Sequence, residues 1–208
     1  MVIKDNSVVL FQGDSVTDAG RDRDDINSFG RGYPLMAASM FAANHPTMNV
    51  TFINKGVSGD RTTELMKRWQ EDCIDLKPDV VSILIGINDC WRRFDNNNPM
   101  WEDDFYYNYK SLLTQVKEKL NAKIILMEPF LLPYPEDRKQ WRVDLDPKIH
   151  KVRELAKEFN AIYIPLDGIF AQMSVGKEDG FWSADGVHPS DAGHALIAKN
   201  WLKAVEEF

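Results

Sequence analysis

The chain has 208 residues, of which 44% are hydrophobic and 27% charged, and its formal net charge at pH 7 is -7. This composition is typical of one soluble globular domain, residues 1–208, with a sizeable core. The lack of a basic segment argues against nucleic-acid binding. No apolar run approaches the roughly 18 residues that span a membrane, and the N-terminus has no apolar signal region, so we expect a cytoplasmic protein without a membrane partner.

The hydrophobic pattern predicts strands that alternate with helices along the whole chain. In chain order these are strand Val8–Phe11, helix Tyr33–Asn44, strand Val50–Asn54, helix Thr62–Leu76, strand Val80–Ile85, helix Asp103–Leu120, strand Lys123–Met127, helix Pro147–Phe159, strand Ala161–Ile164 and helix Ser190–Phe208. Parallel strands joined by right-handed helical crossovers follow from this order. The sequence therefore predicts an α/β fold, a three-layer α/β/α sandwich around a five-stranded parallel sheet.

Three local details complete this prediction. In the first long helix we expect one buried side, made by Leu35, Met36, Met40 and Phe41. Thr62 is a plausible N-cap for the second helix. Two long loops, Asp18–Gly32 and Phe130–Leu145, fall on the expected active side, where long loops are often functional.

The two cysteines, Cys73 and Cys90, lie in unrelated contexts. We expect each to be a buried thiol. Their spacing does not exclude a disulfide, but the expected compartment argues against one. No Cys-x-x-Cys pair or histidine-rich cluster indicates a metal site.

A serine follows the first predicted strand in the run Gly13-Asp14-Ser15. Ligands of open α/β sheets bind at the carboxyl ends of the strands, so Ser15 is a candidate nucleophile. A serine hydroxyl is weakly nucleophilic and needs a base, a group that orients the base, and donors for an oxyanion.

His188 is the candidate base, because it lies in an irregular segment between the last strand and the last helix. Pro189 favours an extended backbone at His188, and Gly186 allows a tight bend. Asp185, three residues upstream, is then able to reach the imidazole and fix its tautomer. For the remaining histidines we expect surface or packing roles: His45, His150 and His194.

Two further positions offer oxyanion donors. Asn88 follows the third strand, and Gly59 follows the second. Taken singly, Asn88 is typical of a turn or cap and Gly59 of an ordinary tight turn. With the backbone N–H of Ser15, they provide three donors from three adjacent loops.

Ser15, Gly59, Asn88 and His188, each in its own block and in this order, resemble the four signature residues of the SGNH (GDSL-type) hydrolases. Val16 stands where the family name has leucine, which is a conservative change. The resemblance implies a flavodoxin-like sandwich, ester hydrolysis through an acyl-enzyme on Ser15, and no metal or organic cofactor. It also implies that the N–H groups of Ser15 and Gly59 and the Asn88 side chain hold the oxyanion.

Three segments, Asn54–Gly59, Gly86–Arg92 and Val187–His194, resemble the bacterial branch that contains acetylxylan esterases. This resemblance suggests removal of small acyl groups, especially acetyl, from sugar hydroxyls. One departure is Ala184, where an aromatic residue is expected before the triad aspartate. The alternatives are a lysophospholipase or thioesterase of the same family, and a non-catalytic carbohydrate-binding relative.

The side chains around these blocks are candidate substrate contacts: Asp14, Trp91, Arg92 and Trp182. We also expect Asp14 to hydrogen-bond the local backbone and shape its turn, and Asp89 to act similarly. The expected partner is a small ester, an acetylated sugar above all. Family resemblance adds a homo-oligomer as a candidate assembly.

Overall fold

A computed structural model describes residues 1–207 and contains one five-stranded sheet. All neighbouring strands pair in parallel, in the order β2-β1-β3-β4-β5. This sheet confirms the predicted α/β class. The strands are β1 (Val8–Gly13), β2 (Thr51–Asn54), β3 (Val80–Leu84), β4 (Lys123–Met127) and β5 (Ile162–Ile164).

Helices cover both faces of the sheet, as a parallel sheet requires. Alternate residues of β1 point to opposite layers: Val9 and Phe11 join the core that contains Trp201, whereas Leu10 joins the core that contains Trp69. The three-layer sandwich is therefore confirmed. The helices are α1 (Ser15–Asp18), α2 (Tyr33–Asn44), α3 (Thr62–Trp69), α4 (Ile87–Asp95), α5 (Glu102–Lys119), α6 (Arg142–Glu158), α7 (Leu166–Ser174), α8 (Asp179–Trp182) and α9 (Asp191–Glu207).

Helix α2 has the predicted bounds but buries a partly different face. Tyr33, Ala37 and Phe41 are buried at a spacing of four, whereas Leu35 is 40% and Met40 45% exposed. Of the four predicted residues, Phe41 is buried and Met36 packs partly against the core, whereas Leu35 and Met40 are exposed. The prediction is confirmed only in part because this helix is apolar on most sides, so its periodicity carries little information. The contact between α2 and α9 buries the side of α2 that carries the small residue Ala37.

The start of α3 also differs from the prediction. Thr62 is the first helical residue, and Arg61 occupies the N-cap position. The side chain of Glu64 accepts a hydrogen bond from the Arg61 backbone N–H at 3.3 Å, which caps the helix in place of the expected threonine. The helix then continues into a π-helical turn, Gln70–Ile74.

Helix α6 begins at Arg142, five residues before the predicted start at Pro147. The predicted start lies too late because proline is common in the first turn of a helix, and Pro147 therefore indicates a start at that residue. A 3₁₀ turn, Glu136–Trp141, precedes the helix, so the second long loop is shorter than expected. The helices α1, α4, α7 and α8 were not predicted from the sequence. The prediction for Phe208 lies outside the described residues.

The structure buries both Cys73 and Cys90 as free thiols, as expected. Burial raises the pKa of the Cys73 thiol to about 12. Among residues 1–207, no helix combines the length and apolar character needed to cross a bilayer. The same residues contain no cluster of His, Cys, Asp and Glu that is suited to hold a metal ion.

Candidate active site

Ser15 lies at the carboxyl edge of the sheet, immediately after β1. The strand ends at Gly13, where a Cβ atom would lie 2.3 Å from the carbonyl oxygen of Leu84, so a side chain has no room. Asp14 then caps helix α1, because its Oδ1 accepts a hydrogen bond from Val16 N at 3.0 Å. Ser15 is consequently the first residue of α1, where a backbone N–H needs no partner within the helix.

Ser15, His188 and Asp185 form one continuous chain of hydrogen bonds. The distance from Ser15 Oγ to His188 Nε2 is 2.9 Å, and that from His188 Nδ1 to Asp185 Oδ2 is 2.6 Å. The other carboxylate oxygen, Asp185 Oδ1, accepts from the backbone N–H groups of Val187 (2.9 Å) and His188 (2.8 Å) and from Ser183 Oγ (3.1 Å). The Asp185 carboxylate therefore both orients the imidazole and folds its own loop.

These contacts shift the pKa of both groups in the direction that general-base chemistry requires. Burial raises the pKa of Asp185, but the hydrogen bonds from His188 and Val187 outweigh it and hold that pKa well below its usual range. The hydrogen bond to Asp185 raises the pKa of His188 above its ordinary value, and partial burial opposes this only in part. The pair thus favours a carboxylate beside an imidazolium.

Of the other two predicted oxyanion donors, Gly59 lies in the turn after β2 and Asn88 lies at the start of a helix after β3. Asn88 lies in the first turn of α4, and its Nδ2 donates to the carbonyl oxygen of Asp60 at 3.1 Å. An amide nitrogen carries two hydrogens, so one remains for a ligand. Gly59 precedes Asp60 and has φ +88°, a left-handed conformation that favours glycine. The bond to Asp60 therefore draws Asn88 to the residue next to Gly59.

Asp89 acts over a longer range than the sequence suggested. Instead of bonding its own turn, its buried carboxylate accepts from Thr62 Oγ1 at 2.7 Å and from Thr62 N at 3.2 Å. The expectation of a local role is corrected, because Thr62 is 27 residues away. Burial raises the pKa of Asp89 to about 6. Asn88 and Asp89 together tie the start of α4 to the loop after Gly59.

Of the four candidate substrate contacts, two lie at the triad surface. The ring of Trp91 is partly exposed, and its centroid is 5.9 Å from that of His188. Arg92 is also partly exposed, pairs with Asp95, and holds its guanidinium 5.8 Å from the Trp91 centroid. These contacts place Trp91 beside the imidazole and Arg92 beside Trp91.

The other two candidates are buried, which corrects their assignment as substrate contacts. Asp14 is 1% exposed and caps α1, and burial raises the pKa of its carboxyl to about 7. Trp182 is 8% exposed and packs in the main core. Ala184, at the position where an aromatic residue was expected, is exposed and leaves that side of the triad loop open.

The remaining histidines follow the expectation of surface or packing roles. His194 is buried in α9, and its Nδ1 accepts a hydrogen bond from the Tyr33 backbone N–H at 3.1 Å. Burial lowers the pKa of His194 to about 4. His45 caps the end of α2 at the surface and contacts Glu206, and His150 is exposed.

Sequence comparison connects this fold and site with known esterases. The family model described as "GDSL-like Lipase/Acylhydrolase family" matches residues 11–196. An acetylxylan esterase from Geobacillus stearothermophilus is 33% identical to the chain, over 99% of this chain and 96% of the relative.

Solved structures agree with the sequence comparison. A protein from Parabacteroides merdae ATCC 43184, described as a GDSL-like lipase, superposes with a TM-score of 0.94 at 36% identity, over 98% of this chain and 97% of its own. Axe2, an acetylxylan esterase from Geobacillus stearothermophilus, superposes with a TM-score of 0.89 at 32% identity, over 99% and 96% of the two chains. Catalytic mutants of Axe2 carry alanine in place of a serine, of an aspartate, and of a histidine three residues after that aspartate.

The fold and these matches define a carboxylic ester hydrolase with the SGNH hydrolase fold. The chain belongs to the GDSL-like lipase/acylhydrolase family.

Proposed function

We propose that residues 1–208 act as one catalytic domain that removes acetyl groups from carbohydrate, such as acetylated xylo-oligosaccharides. The observation that carries this proposal is the hydrogen-bond chain from Ser15 through His188 to Asp185, in a chain 33% identical to an acetylxylan esterase. The aspartate-to-histidine spacing of three is also that of the residues changed in the Axe2 catalytic mutants.

In the first half of the reaction, His188 Nε2 takes the proton from Ser15 Oγ while that oxygen attacks the acetyl carbonyl carbon. The carbonyl oxygen becomes an oxyanion, which accepts hydrogen bonds from the N–H groups of Ser15 and Gly59 and from Asn88 Nδ2. His188 then gives its proton to the departing sugar oxygen. The C–O bond to the sugar breaks, and acetyl remains on Ser15.

In the second half, water replaces the sugar. His188 takes a proton from water, whose oxygen attacks the acetyl carbon, and then returns a proton to Ser15 Oγ as acetate leaves. Asp185 stays ionised throughout, since its hydrogen bonds hold its pKa well below the usual range. It stabilises the imidazolium that forms in each half.

A small acyl group is proposed because the chain is 33% identical to an acetylxylan esterase. Val16 and Val187, which follow Ser15 and precede His188 in the chain, line a cavity of about 10 Å³, about the room that one water molecule needs. The cavity is lined by Asp14, Val16, Leu84, Ile85, Ile87, Pro129, Phe130 and Val187. None of these is a triad or oxyanion residue, so the cavity sets no limit on the acyl group.

The alcohol side of the ester meets a different surface. Trp91 presents part of its ring beside His188, where the leaving sugar oxygen must receive its proton. Aromatic side chains are common in small-molecule sites, where they supply apolar area at a fixed orientation. We assign Trp91 to the sugar ring and Arg92 to the same wall.

A panel of esters tests the proposed function. It comprises acetylated xylo-oligosaccharides, p-nitrophenyl acetate, p-nitrophenyl octanoate, an acyl thioester and a lysophospholipid. We expect acetate release from the acetylated sugars with the highest kcat/KM, and slower turnover of the octanoate than of the acetate ester. Faster turnover of the octanoate, thioester or lysophospholipid would identify the protein as a lysophospholipase or thioesterase instead. Binding of the sugar without hydrolysis would identify it as a non-catalytic carbohydrate-binding relative.

Replacing Asn88 by alanine is expected to lower kcat for p-nitrophenyl acetate by about 10²–10³, the usual loss for one oxyanion donor. KM should change little, because the lost hydrogen bond forms mainly in the transition state. The matched control is Asn96→Ala, which removes an exposed asparagine just past the end of the same helix. An N88A variant with wild-type kcat would exclude the side chain from the oxyanion site.

In the pH profile of kcat/KM, we expect the midpoint of the fall on the acid side (the acid limb) to lie above pH 6.5. His188 must be neutral to accept the Ser15 proton, and its hydrogen bond to Asp185 raises its pKa above the ordinary value. Activity therefore falls as the pH drops through this raised pKa, and it is full at higher pH. Initial rates with p-nitrophenyl acetate between pH 5 and 9 measure the limb. Constant activity down to pH 5 would contradict the role of His188.

A further inference from the structure

We propose that Arg138 is a positioning residue that holds the Asp185–His188 loop in its catalytic geometry. Arg138 lies in the 3₁₀ turn Glu136–Trp141, inside the second long loop, and no sequence pattern assigned it a role. The inference rests on the proposed function, because it assigns Arg138 to the triad that the proposed mechanism uses.

The central contact joins Arg138 to the backbone of the triad aspartate. Arg138 Nε donates to the carbonyl oxygen of Asp185 at 2.9 Å. The same residue, Asp185, orients the imidazole through its Oδ2 at 2.6 Å. A movement of this carbonyl therefore moves the carboxylate, since both belong to one residue. Arg138 Nη1 also donates to Asp137 Oδ2 at 2.6 Å.

Two tryptophans fix the direction of the Arg138 guanidinium. Its Cζ lies 4.2 Å from the ring centroid of Trp141 and 5.5 Å from that of Trp91, both within the range of cation–π attraction. Trp141 is buried and provides a rigid support. Trp91 in turn lies against His188, with ring centroids 5.9 Å apart. Arg138 thus contacts the triad loop directly at the Asp185 carbonyl, and it also contacts Trp91, the aromatic residue beside His188.

The backbone around Arg138 shows that the second long loop and the Asp185–His188 loop are in close contact. Gly186 has φ +82°, and a Cβ there would lie 2.3 Å from the Tyr134 carbonyl oxygen and 3.2 Å from Arg138 Cγ. Leu132 N donates to the Gly186 carbonyl oxygen at 2.9 Å. The hydrogen bonds from Leu132 and Arg138 therefore hold consecutive carbonyl groups, those of Gly186 and Asp185.

This arrangement matters because the triad loop is irregular, and the side chains of Asp185 and His188 are partly exposed. Displacement of a reacting group by about 1 Å costs roughly 10²-fold in rate. Without the Arg138 bond, we expect Asp185 to tilt and its hydrogen bond to His188 to lengthen. The pKa of His188 then falls towards its ordinary value, because that hydrogen bond is what raises it.

The test is Arg138→Met, which keeps an unbranched stem against Gly186 and removes the guanidinium. We expect kcat to fall about tenfold to 10²-fold, the range of a displacement of an ångström or less, with little change in KM. We also expect the acid limb to move to lower pH, and the far-downfield proton NMR signal of His188 Nδ1–H to shift upfield. The groups that face His188 electrostatically, Asp185, Asp14 and His194, are all unchanged in this variant.

The matched control is Lys139→Met, one residue further on, whose ammonium is exposed and pairs with Glu136. It should leave kcat, the acid limb and the proton signal as in the wild type. An R138M variant with a lower thermal midpoint but a wild-type acid limb and proton signal would overturn the proposal, because Arg138 would then be structural only.

Two further measurements cover the cases in which R138M does not fold or the wild type hydrolyses no ester. If R138M does not fold, Arg138→Ala replaces it, since alanine places no long side chain against Gly186 and has no donor for the Asp185 carbonyl oxygen. A wild-type acid limb in R138A would then overturn the proposal. If the wild type hydrolyses no ester, the proposed function fails, whereas the Nδ1–H signal still reports whether Arg138 sets the Asp185–His188 geometry.

Discussion

Replacing Ser15 by alanine is expected to reduce kcat for acetyl-ester hydrolysis by about 10⁶, the loss seen when a catalytic serine is removed from a triad. Alanine has no oxygen for His188 to activate, so no acyl-enzyme forms. The oxyanion donors remain and should leave only a small residual rate. Stopped-flow release of p-nitrophenol measures the loss, and the burst that reports acylation should vanish.

The fold should survive this change, because the hydrogen bond of Ser15 Oγ joins it to the exposed His188 and alanine is a good helix former. The thermal midpoint of S15A is therefore expected close to that of the wild type. The matched control, Ser111→Ala, removes a partly exposed hydroxyl from α5 and should keep full activity. Residual activity above about 1% in S15A would show that another group is the nucleophile, since loss of a triad serine costs far more.

Sequence patterns predicted those elements whose ends carry local signals. Strand β4 is an apolar run that follows Lys123 and ends before Glu128 and Pro129, and its observed bounds, Lys123–Met127, equal the predicted ones. Helix α2 also has its predicted bounds, because Pro34 at its start and Pro46 after its end mark both limits. Its buried face was predicted only in part, since contact with α9 decides which side is buried and the local sequence does not indicate that contact.

Elements set by distant contacts were harder to predict. Helix α6 starts at Arg142 because Trp141 and Leu145 pack in a cluster with Ile87 and Val187, residues from distant parts of the chain. That packing stabilises a start that the position of Pro147 does not indicate. Local propensity is a weak guide where tertiary burial of this size competes with it.

The candidate site also combines residues that local sequence patterns predict with residues that only distant contacts bring together. Asp185 and His188 were predictable from the sequence because their spacing is local, and the same carboxylate accepts the His188 backbone N–H. The contact between Ser15 and His188 spans 173 residues and follows only from the order of family blocks. Arg138 meets Asp185 across 47 residues within a loop that carries no motif, so no sequence signal marked it.

Replacing Asp185 by asparagine is expected to lower kcat by about 10⁴, the cost of holding a triad histidine in the wrong tautomer. The amide Oδ1 still accepts from the backbone of Val187 and His188, so the loop keeps its shape. The amide nitrogen, however, is a donor and faces His188 Nδ1. The imidazole then carries its proton on Nε2, where it is unable to take the proton of Ser15. Steady-state rates with p-nitrophenyl acetate measure this loss.

Two pH readouts separate this catalytic role from a purely structural one. Loss of the carboxylate lowers the pKa of His188, so the acid limb of the residual activity should move to lower pH. The depressed pKa of Asp185 stabilises the fold above the pKa of an unfolded aspartate, about 3.9. At pH 7 the thermal midpoint of D185N should therefore be below that of the wild type, and the gap should narrow as the pH falls through the aspartate range. The matched control is Asp75→Asn, an exposed aspartate before β3, which should change neither the rate nor the limb. A D185N variant with this stability profile but near-wild-type kcat would leave Asp185 as a loop-folding residue and require another group to orient His188.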